Sequence, residues 1–131
     1  GPLYKELNNL KLQLNLNENI VLHGYVLNPF SQIANADVMI VPSLSEGVSR
    51  AALEALYLGI PCVMRDIDGN SELISSGING ELFLNNNDLA EKLLHVAIFS
   101  RSKELFRRVL TPKNFRQQVA SEEYLKIINK H

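Results

Sequence analysis

The segment Ser43–Leu58 carries residue types that can bind an anionic ligand. Ser49 is suited to cap a helix, and Gly47 allows close backbone approach, so the N–H groups at this helix start could hold a phosphate. Arg50 in the first turn opposes the helix dipole at a cost of ~0.3–1 kcal/mol, which a bound diphosphate would reverse. A surface pair of Arg50 with Glu54 is the alternative interpretation, although Arg before Glu is the weaker order.

Two carboxylates accompany this helix start. Glu46 lies on the loop and Glu54 lies in the helix, so both can border one cleft. A carboxylate accepts two hydroxyl hydrogen bonds, which suits the vicinal diol of a ribose or a hexose. Two solvated surface acids are the alternative, but Glu54 is embedded in the apolar run Ala51–Leu56, where a solvated face would carry more charge. The segment is therefore a plausible anion site whose two carboxylates could also bind sugar hydroxyls.

Bulk composition limits the remaining functions. The 131 residues, 46% of them hydrophobic, fit one domain with one core, and a net charge of −1 gives no reason to expect a nucleic-acid partner. Cys62 is the only cysteine and lies in an apolar run, so we expect a buried small hydrophobe, with no disulfide and no cysteine metal cluster. No apolar run approaches the ~20 residues that span a bilayer, and no secretory signal is visible, which makes a cytoplasmic location the default.

Alternating strand and helix patterns predict an α/β fold. Four short apolar runs have strand character, and the middle two are continuous enough to be covered on both faces of a sheet. These runs are residues 20–23, 38–41, 61–64 and 81–84. Predicted helices cover residues 3–14, 30–34, 50–58 and 71–74, then a longer helix after Asp88 with a break near Ser100, and a terminal helix over 115–128. Crossovers of this length predict a right-handed parallel sheet.

The ends of the chain bear on its domain organisation. Gly1-Pro2 looks like the remnant left when a protease removes a purification tag, which leaves residues 3–131 as the domain. An alternating fold would place a strand before the first helix, so we expect an upstream strand to be missing and the domain to be truncated. Terminal helices would begin at about residue 88.

The order of these motifs resembles the GT-B retaining glycosyltransferases of family GT4, also called group 1. Glu46 and Glu54 are separated by seven residues, as in the E-x7-E signature of that family. Four flanking segments also resemble its motifs, so that the similarity covers residues 3–128: His23–Val26, Ala34–Ser43, Asp68–Ile74 and Gly77–Phe83. The resemblance implies a Rossmann-like, three-layer parallel sheet that forms part of the C-terminal half of a GT-B enzyme.

The resemblance also implies roles for individual residues, because in that family this domain holds the activated donor. Glu46 would contact the donor sugar and position the anomeric carbon as the catalytic residue, and Glu54 would bind the ribose hydroxyls. Backbone contacts to sugar and diphosphate would come from Gly47, Val48, Ser49 and Arg50, while Val26 and Asn28 would lie near the base. Three departures are visible: Val48-Ser49 replaces the usual Phe-Gly, Asp68-Gly69 replaces the common double Gly, and the family's phosphate-binding Arg and Lys have no counterpart here.

The implied activity is hexosyl transfer, with retention, from a nucleotide-diphosphate sugar to an acceptor glycan or lipid-linked glycan. The acceptor would bind through a missing N-terminal domain, and the destination would be surface polysaccharide or lipopolysaccharide. Neither a metal nor another cofactor is expected, and the isolated chain should be inactive. Asp66 and Asp68 superficially suggest a metal pair, but their place in a turn favours capping roles.

Alternatives remain open at this point. A nucleotide-sugar epimerase of related fold would carry a Ser-Gly-Gly-x-x-Glu-Glu loop, whereas Glu46 here precedes the glycine. A noncatalytic nucleotide-binding α/β module would need no carboxylate at position 46. A basic stretch is either a solvated helix face or a weak peripheral contact with an anionic membrane. It comprises Arg101, Lys103, Arg107, Arg108, Lys113 and Arg116.

Overall fold

The described part of the chain contains five helices and three β-strands. The computed structural model describes residues 1–45, 47–102 and 110–112. The helices are α1 Tyr4–Gln13, α2 Phe30–Ile33, α3 Arg50–Tyr57, α4 Asn70–Leu73 and α5 Asn86–Ser102. The strands are β1 Met39–Val41, β2 Cys62–Arg65 and β3 Gly80–Phe83. Strand and helix alternate from β1 onward, which confirms the predicted α/β organisation.

The three strands form one parallel sheet in the order β1-β2-β3. Met39 pairs with Cys62 on the first ladder, and Val63 pairs with Glu81 on the second. Because all three strands run the same way, the loops that follow them meet at one edge of the sheet. We call this the carboxyl edge.

Helices cover both faces of the sheet. Successive side chains of β2 alternate between faces, so Cys62 and Met64 pack in the cluster with α3, while Val63 packs with Phe83 and Val96 of α5. All of these side chains are buried. The arrangement is helix, sheet, helix, which confirms the three-layer architecture, and burial on both faces explains the continuous apolar sequence of β2.

Helix α3 ends where its sequence predicts. Gly59 follows the helix with φ +82°, a conformation that glycine adopts without a Cβ penalty. Its N–H donates to the Leu56 carbonyl at 3.1 Å, and the Ile60 N–H donates to the Ala55 carbonyl at 2.9 Å. These two bonds satisfy carbonyls of the last turn in a Schellman motif. These bonds fix where the helix ends, and its start lies at the carboxyl edge, after β1.

The apolar run 20–23 does not form a strand, so that prediction was wrong. Within the described residues it joins no ladder with β1. Its carbonyl oxygens instead face α1: the Tyr4 hydroxyl lies 3.5 Å from the Leu22 oxygen, and the Lys11 ammonium lies 3.5 Å from the Ile20 oxygen. A strand needs a hydrogen-bonded neighbour, and apolar character alone does not reveal one.

The predicted longer helix is α5, which includes Ser100 and extends to Ser102. Residues 103–109 lie outside the description, so the break near Ser100 stays a prediction. The Ser100 hydroxyl donates to the Ala97 carbonyl at 2.9 Å and is nearly fully buried. A serine bonded back onto its own helix satisfies its hydroxyl without ending the helix. Helix α5 begins at Asn86, two residues before Asp88. The terminal helix predicted over 115–128 lies outside the described residues.

Candidate functional site

Two loops of the carboxyl edge touch each other. Residues 42–49 join β1 to α3, and residues 66–69 join β2 to α4. Gly69, with φ +89°, packs so closely on the first loop that a Cβ there would collide with the Gly47 carbonyl. The loop with the candidate donor residues is therefore packed, at Gly47, against the neighbouring loop at Gly69. We call residues 42–49 the donor loop.

Ser49 caps α3, as predicted. Its side chain is 3% exposed, and its hydroxyl oxygen accepts a hydrogen bond from the Ala52 N–H at 3.4 Å. The Leu53 N–H then donates to the Ser49 carbonyl at 3.0 Å as the first helical bond. The cap fixes the positive end of the α3 dipole at the carboxyl edge, where an anion would be stabilised.

The outer side of α3 presents the other candidate residues. Arg50 is exposed and Glu54 is half-buried, and positions four apart share one helix face. The opposite face buries Ala52, Leu53, Ala55 and Leu56 in the core. Gly47 and Val48 are exposed on the donor loop. The structure therefore brings Gly47, Val48, Arg50 and Glu54 to the solvent side of one loop-and-helix unit, while Glu46 lies outside the described residues.

Val26 and Asn28 precede α2, and both are partly buried. The Asn28 side-chain oxygen accepts a hydrogen bond from the Phe30 N–H at 3.2 Å, which helps to start α2. This local role was missed in the sequence, although Asn two residues before a helix start is a known turn pattern. Proximity of these two residues to a nucleobase stays a prediction.

Sequence reasoning also missed Arg65 and Asn70, which lie on either side of the loop 66–69 at the carboxyl edge. Arg65 ends β2, and its side chain hydrogen-bonds backbone carbonyls on either side of that strand. Asn70 is fully buried, and its amide nitrogen donates to the Arg65 carbonyl at 2.8 Å. A charged residue at the end of an otherwise apolar strand is the only sequence signal that pointed to Arg65.

The sequence also contains candidate residues for metal or thiol chemistry. Among the described residues, no group of three or more His, Cys, Asp or Glu side chains is arranged to hold a metal ion. Asp66 and Asp68 are exposed on the loop before α4. Burial raises the pKa of the Cys62 thiol to about 12, so it stays protonated at neutral pH and cannot act as a thiolate. Its buried position confirms the interpretation as a small hydrophobe.

A separate groove involves none of the predicted site residues. A mostly apolar groove lies between α1 and the segment that follows it, and its walls are residues 1–4, Leu7 and 21–24. In the part of the chain that is described, each helix is too short or too polar to cross a bilayer. The basic side chains from Arg101 to Arg116 lie outside the description.

Comparison with known proteins adds the family context. The chain is 34% identical over 83 residues to UDP-Gal:alpha-D-GlcNAc-diphosphoundecaprenol alpha-1,3-galactosyltransferase of Escherichia coli, which is 63% of this chain and 21% of that protein. It is 30% identical over 76 residues to lipopolysaccharide 1,6-galactosyltransferase of Salmonella typhimurium, covering 54% of this chain and 21% of that protein. The chain thus spans about a fifth of the length of these relatives.

A solved structure shares the fold. The crystal structure of Anabaena HepE in complex with UDP superposes with a TM-score of 0.62 at 24% identity, covering 93% of this chain and 36% of that one. The similarity confirms the Rossmann-like α/β fold implied by the GT-B resemblance. The model for glycosyl transferases group 1 matches residues 1–97, which are 97 of the 131 residues. This match favours the glycosyltransferase interpretation over an epimerase or a noncatalytic module: the chain belongs to the glycosyl transferases group 1 family.

Proposed function

We propose that this chain is the donor-binding part of a hexosyltransferase that transfers a sugar, with retention, from a nucleotide-diphosphate sugar. The observation that carries the proposal is the Ser49-capped start of α3 at the carboxyl edge, with Arg50 and Glu54 on its outer side. Family membership supplies the reaction class. A metal-independent site of this kind binds a leaving diphosphate through a fixed helix dipole and a cation.

Each site residue has a role in this proposal. The α3 N-terminus and Arg50 hold the diphosphate, and Glu54 accepts hydrogen bonds from the ribose hydroxyls. Glu46 binds the sugar hydroxyls and positions the anomeric carbon, while Gly47 and Val48 contribute backbone contacts. Val26 and Asn28 border the nucleobase. These roles follow from the family resemblance, and the exposure of Gly47, Val48 and Arg50 supports the roles of those three residues.

Uridine is the first base to test. One relative is named for UDP-Gal, and the solved structure of similar fold is a complex with UDP. The relatives are also named for lipopolysaccharide and for a diphosphoundecaprenol-linked sugar. Their names support a glycan or lipid-linked glycan as acceptor, bound outside this chain by an N-terminal domain. They also favour a role in surface polysaccharide or lipopolysaccharide synthesis.

Substitution of Glu46 tests the proposal. Titration calorimetry with UDP-galactose, UDP-glucose, GDP-mannose and ADP-glucose should identify at least one that binds. Glu46→Ala should then raise the Kd of that donor about 10-fold or more, because a charged acceptor of sugar hydroxyls is lost. Glu91→Ala removes an exposed carboxylate on α5 and should leave the Kd unchanged. Equal affinity of the Glu46→Ala variant and the unsubstituted protein would refute the role of Glu46.

A further inference from the structure

Arg65 bridges all three strands at the carboxyl edge. Its Nε donates to the carbonyl oxygen of Pro42, the residue after β1, at 3.2 Å. Its Nη1 donates to the carbonyl oxygen of Leu84, the residue after β3, at 3.3 Å. Arg65 itself ends β2, opposite Phe83 in the ladder. One side chain thus fixes the points at which the chain leaves the two outer strands.

The guanidinium is oriented from one side by an aromatic ring. It lies 4.8 Å from the centroid of Phe83, whose side chain is fully buried. A planar guanidinium stacked on a ring presents its N–H groups in a fixed fork, whereas a lysine ammonium on a flexible stem cannot fix two acceptors in one plane. The carbonyls of Pro42 and Leu84 are therefore held in a defined relation to the sheet.

Pro42 is the first residue of the donor loop. The other end of the loop is fixed separately by the Ser49 cap, and Gly69 packs against the loop at Gly47. The buried amide of Asn70 ties the backbone of Arg65 to the start of α4. The β1–β2 ladder ends at Val41, and Arg65 adds a side-chain contact at the next residue, Pro42, independently of α3.

We propose that Arg65 is a positioning residue of the donor site. By holding the Pro42 carbonyl, it fixes the position of the donor loop relative to the carboxyl edge, so that the loop can hold the donor sugar. The proposal rests on the function proposed above. Arg65 acts through the Pro42 carbonyl rather than by touching the ligand. The nucleotide part of the donor should depend little on Arg65, because the α3 start is fixed by its own cap and by the burial of Ala52 and Leu53.

A purely fold-stabilising role makes a different prediction. Loss of stability alone would weaken UDP and UDP-galactose binding equally, or neither of them, at temperatures well below unfolding. Loss of loop position would weaken the sugar contact selectively. The ratio of the two dissociation constants, Kd of UDP-galactose divided by Kd of UDP, therefore separates the two roles and does not depend on which ligand binds more tightly.

The experiment measures both constants by titration calorimetry for the unsubstituted protein, Arg65→Met, Arg65→Lys and the control Lys92→Met. Lys92 lies 3.6 Å from buried Glu81 near the amino end of β3, so its substitution removes a cation at the edge of the sheet opposite the carboxyl edge. Arg65→Met should raise the ratio about 10-fold, because two charge-assisted bonds that fix the loop are lost. Arg65→Lys should give a smaller rise, and Lys92→Met should give none.

An unchanged ratio in Arg65→Met would overturn the inference, as would an equal weakening of both ligands. If Arg65→Met does not fold, Arg65→Lys decides the matter, and an unchanged ratio in that variant overturns the inference as well. If the unsubstituted protein binds neither UDP nor UDP-galactose nor another sugar nucleotide of the panel, the proposed function itself fails. Binding of UDP-galactose with a ratio that is insensitive to Arg65 refutes the positioning role alone.

Discussion

Replacement of Gly69 by alanine should lower the free energy of unfolding by roughly 2–5 kcal/mol and weaken donor binding. Two effects add at this position. Gly69 has φ +89°, a conformation that costs an alanine on the order of 1–3 kcal/mol, and the new Cβ would collide with the Gly47 carbonyl. Relief of that collision requires the donor loop or the loop after β2 to move. The substitution should therefore change the position of the donor site as well as the free energy of unfolding.

Gly77 provides a matched control for this substitution. It has φ +71°, but an added Cβ would meet no heavy atom within 4 Å. Gly77→Ala should therefore show the backbone strain alone, about 1–2 kcal/mol, with donor affinity retained. Urea unfolding followed by circular dichroism measures the free energy of unfolding of both variants. Equal urea midpoints for Gly69→Ala and Gly77→Ala would show that the contact between the Gly47 and Gly69 loops contributes nothing to stability.

Substitution of Glu54 should remove the recognition of ribose. The unsubstituted protein should bind UDP more tightly than 2′-deoxy-UDP, because Glu54 accepts a hydrogen bond from each ribose hydroxyl in the proposed complex. Glu54→Gln keeps the size of the side chain but loses the charge and exchanges one acceptor for a donor. Since hydrogen bonds to charged groups contribute about 1.5–3 kcal/mol, we expect the Kd of UDP to rise roughly 10- to 100-fold.

Titration calorimetry with both nucleotides measures this effect. Glu54→Gln should also abolish most of the preference for UDP over 2′-deoxy-UDP, a change that general destabilisation would not cause. Glu91→Gln, on the exposed side of α5, should retain both the affinity and the preference. Preservation of the ribose preference in Glu54→Gln would show that another group reads the ribose.

Much of the fold could be predicted because the apolar runs, the helix caps and the strand–helix alternation all indicate the same parallel α/β sheet. The three observed strands are apolar runs bounded by turn residues, and each lies within one residue of its predicted position. Ser49, Gly59 and Pro61 define α3 by cap chemistry that acts over a few residues, so its bounds follow from the sequence. The predicted donor loop lies at the carboxyl edge because parallel topology leaves it no other place.

Long-range contacts explain what could not be predicted. The run 20–23 has the apolar character of a strand, but strand formation depends on a neighbour that the pattern does not specify. Arg65 contacts carbonyls 23 and 19 residues away along the chain, so its role is invisible in local spacing. The close approach of Gly69 to Gly47 likewise depends on how two loops meet in three dimensions.

The most direct test of the central claim is a residue-resolved NMR titration of the protein with UDP-galactose. The claim is that the donor loop and the start of α3 form the nucleotide-sugar site. We expect saturable shift changes at the amides of Gly47, Ser49, Arg50 and Glu54, with little change in the groove between α1 and residues 21–24. Changes confined to that groove, or no saturable change at the α3 start, would contradict the account.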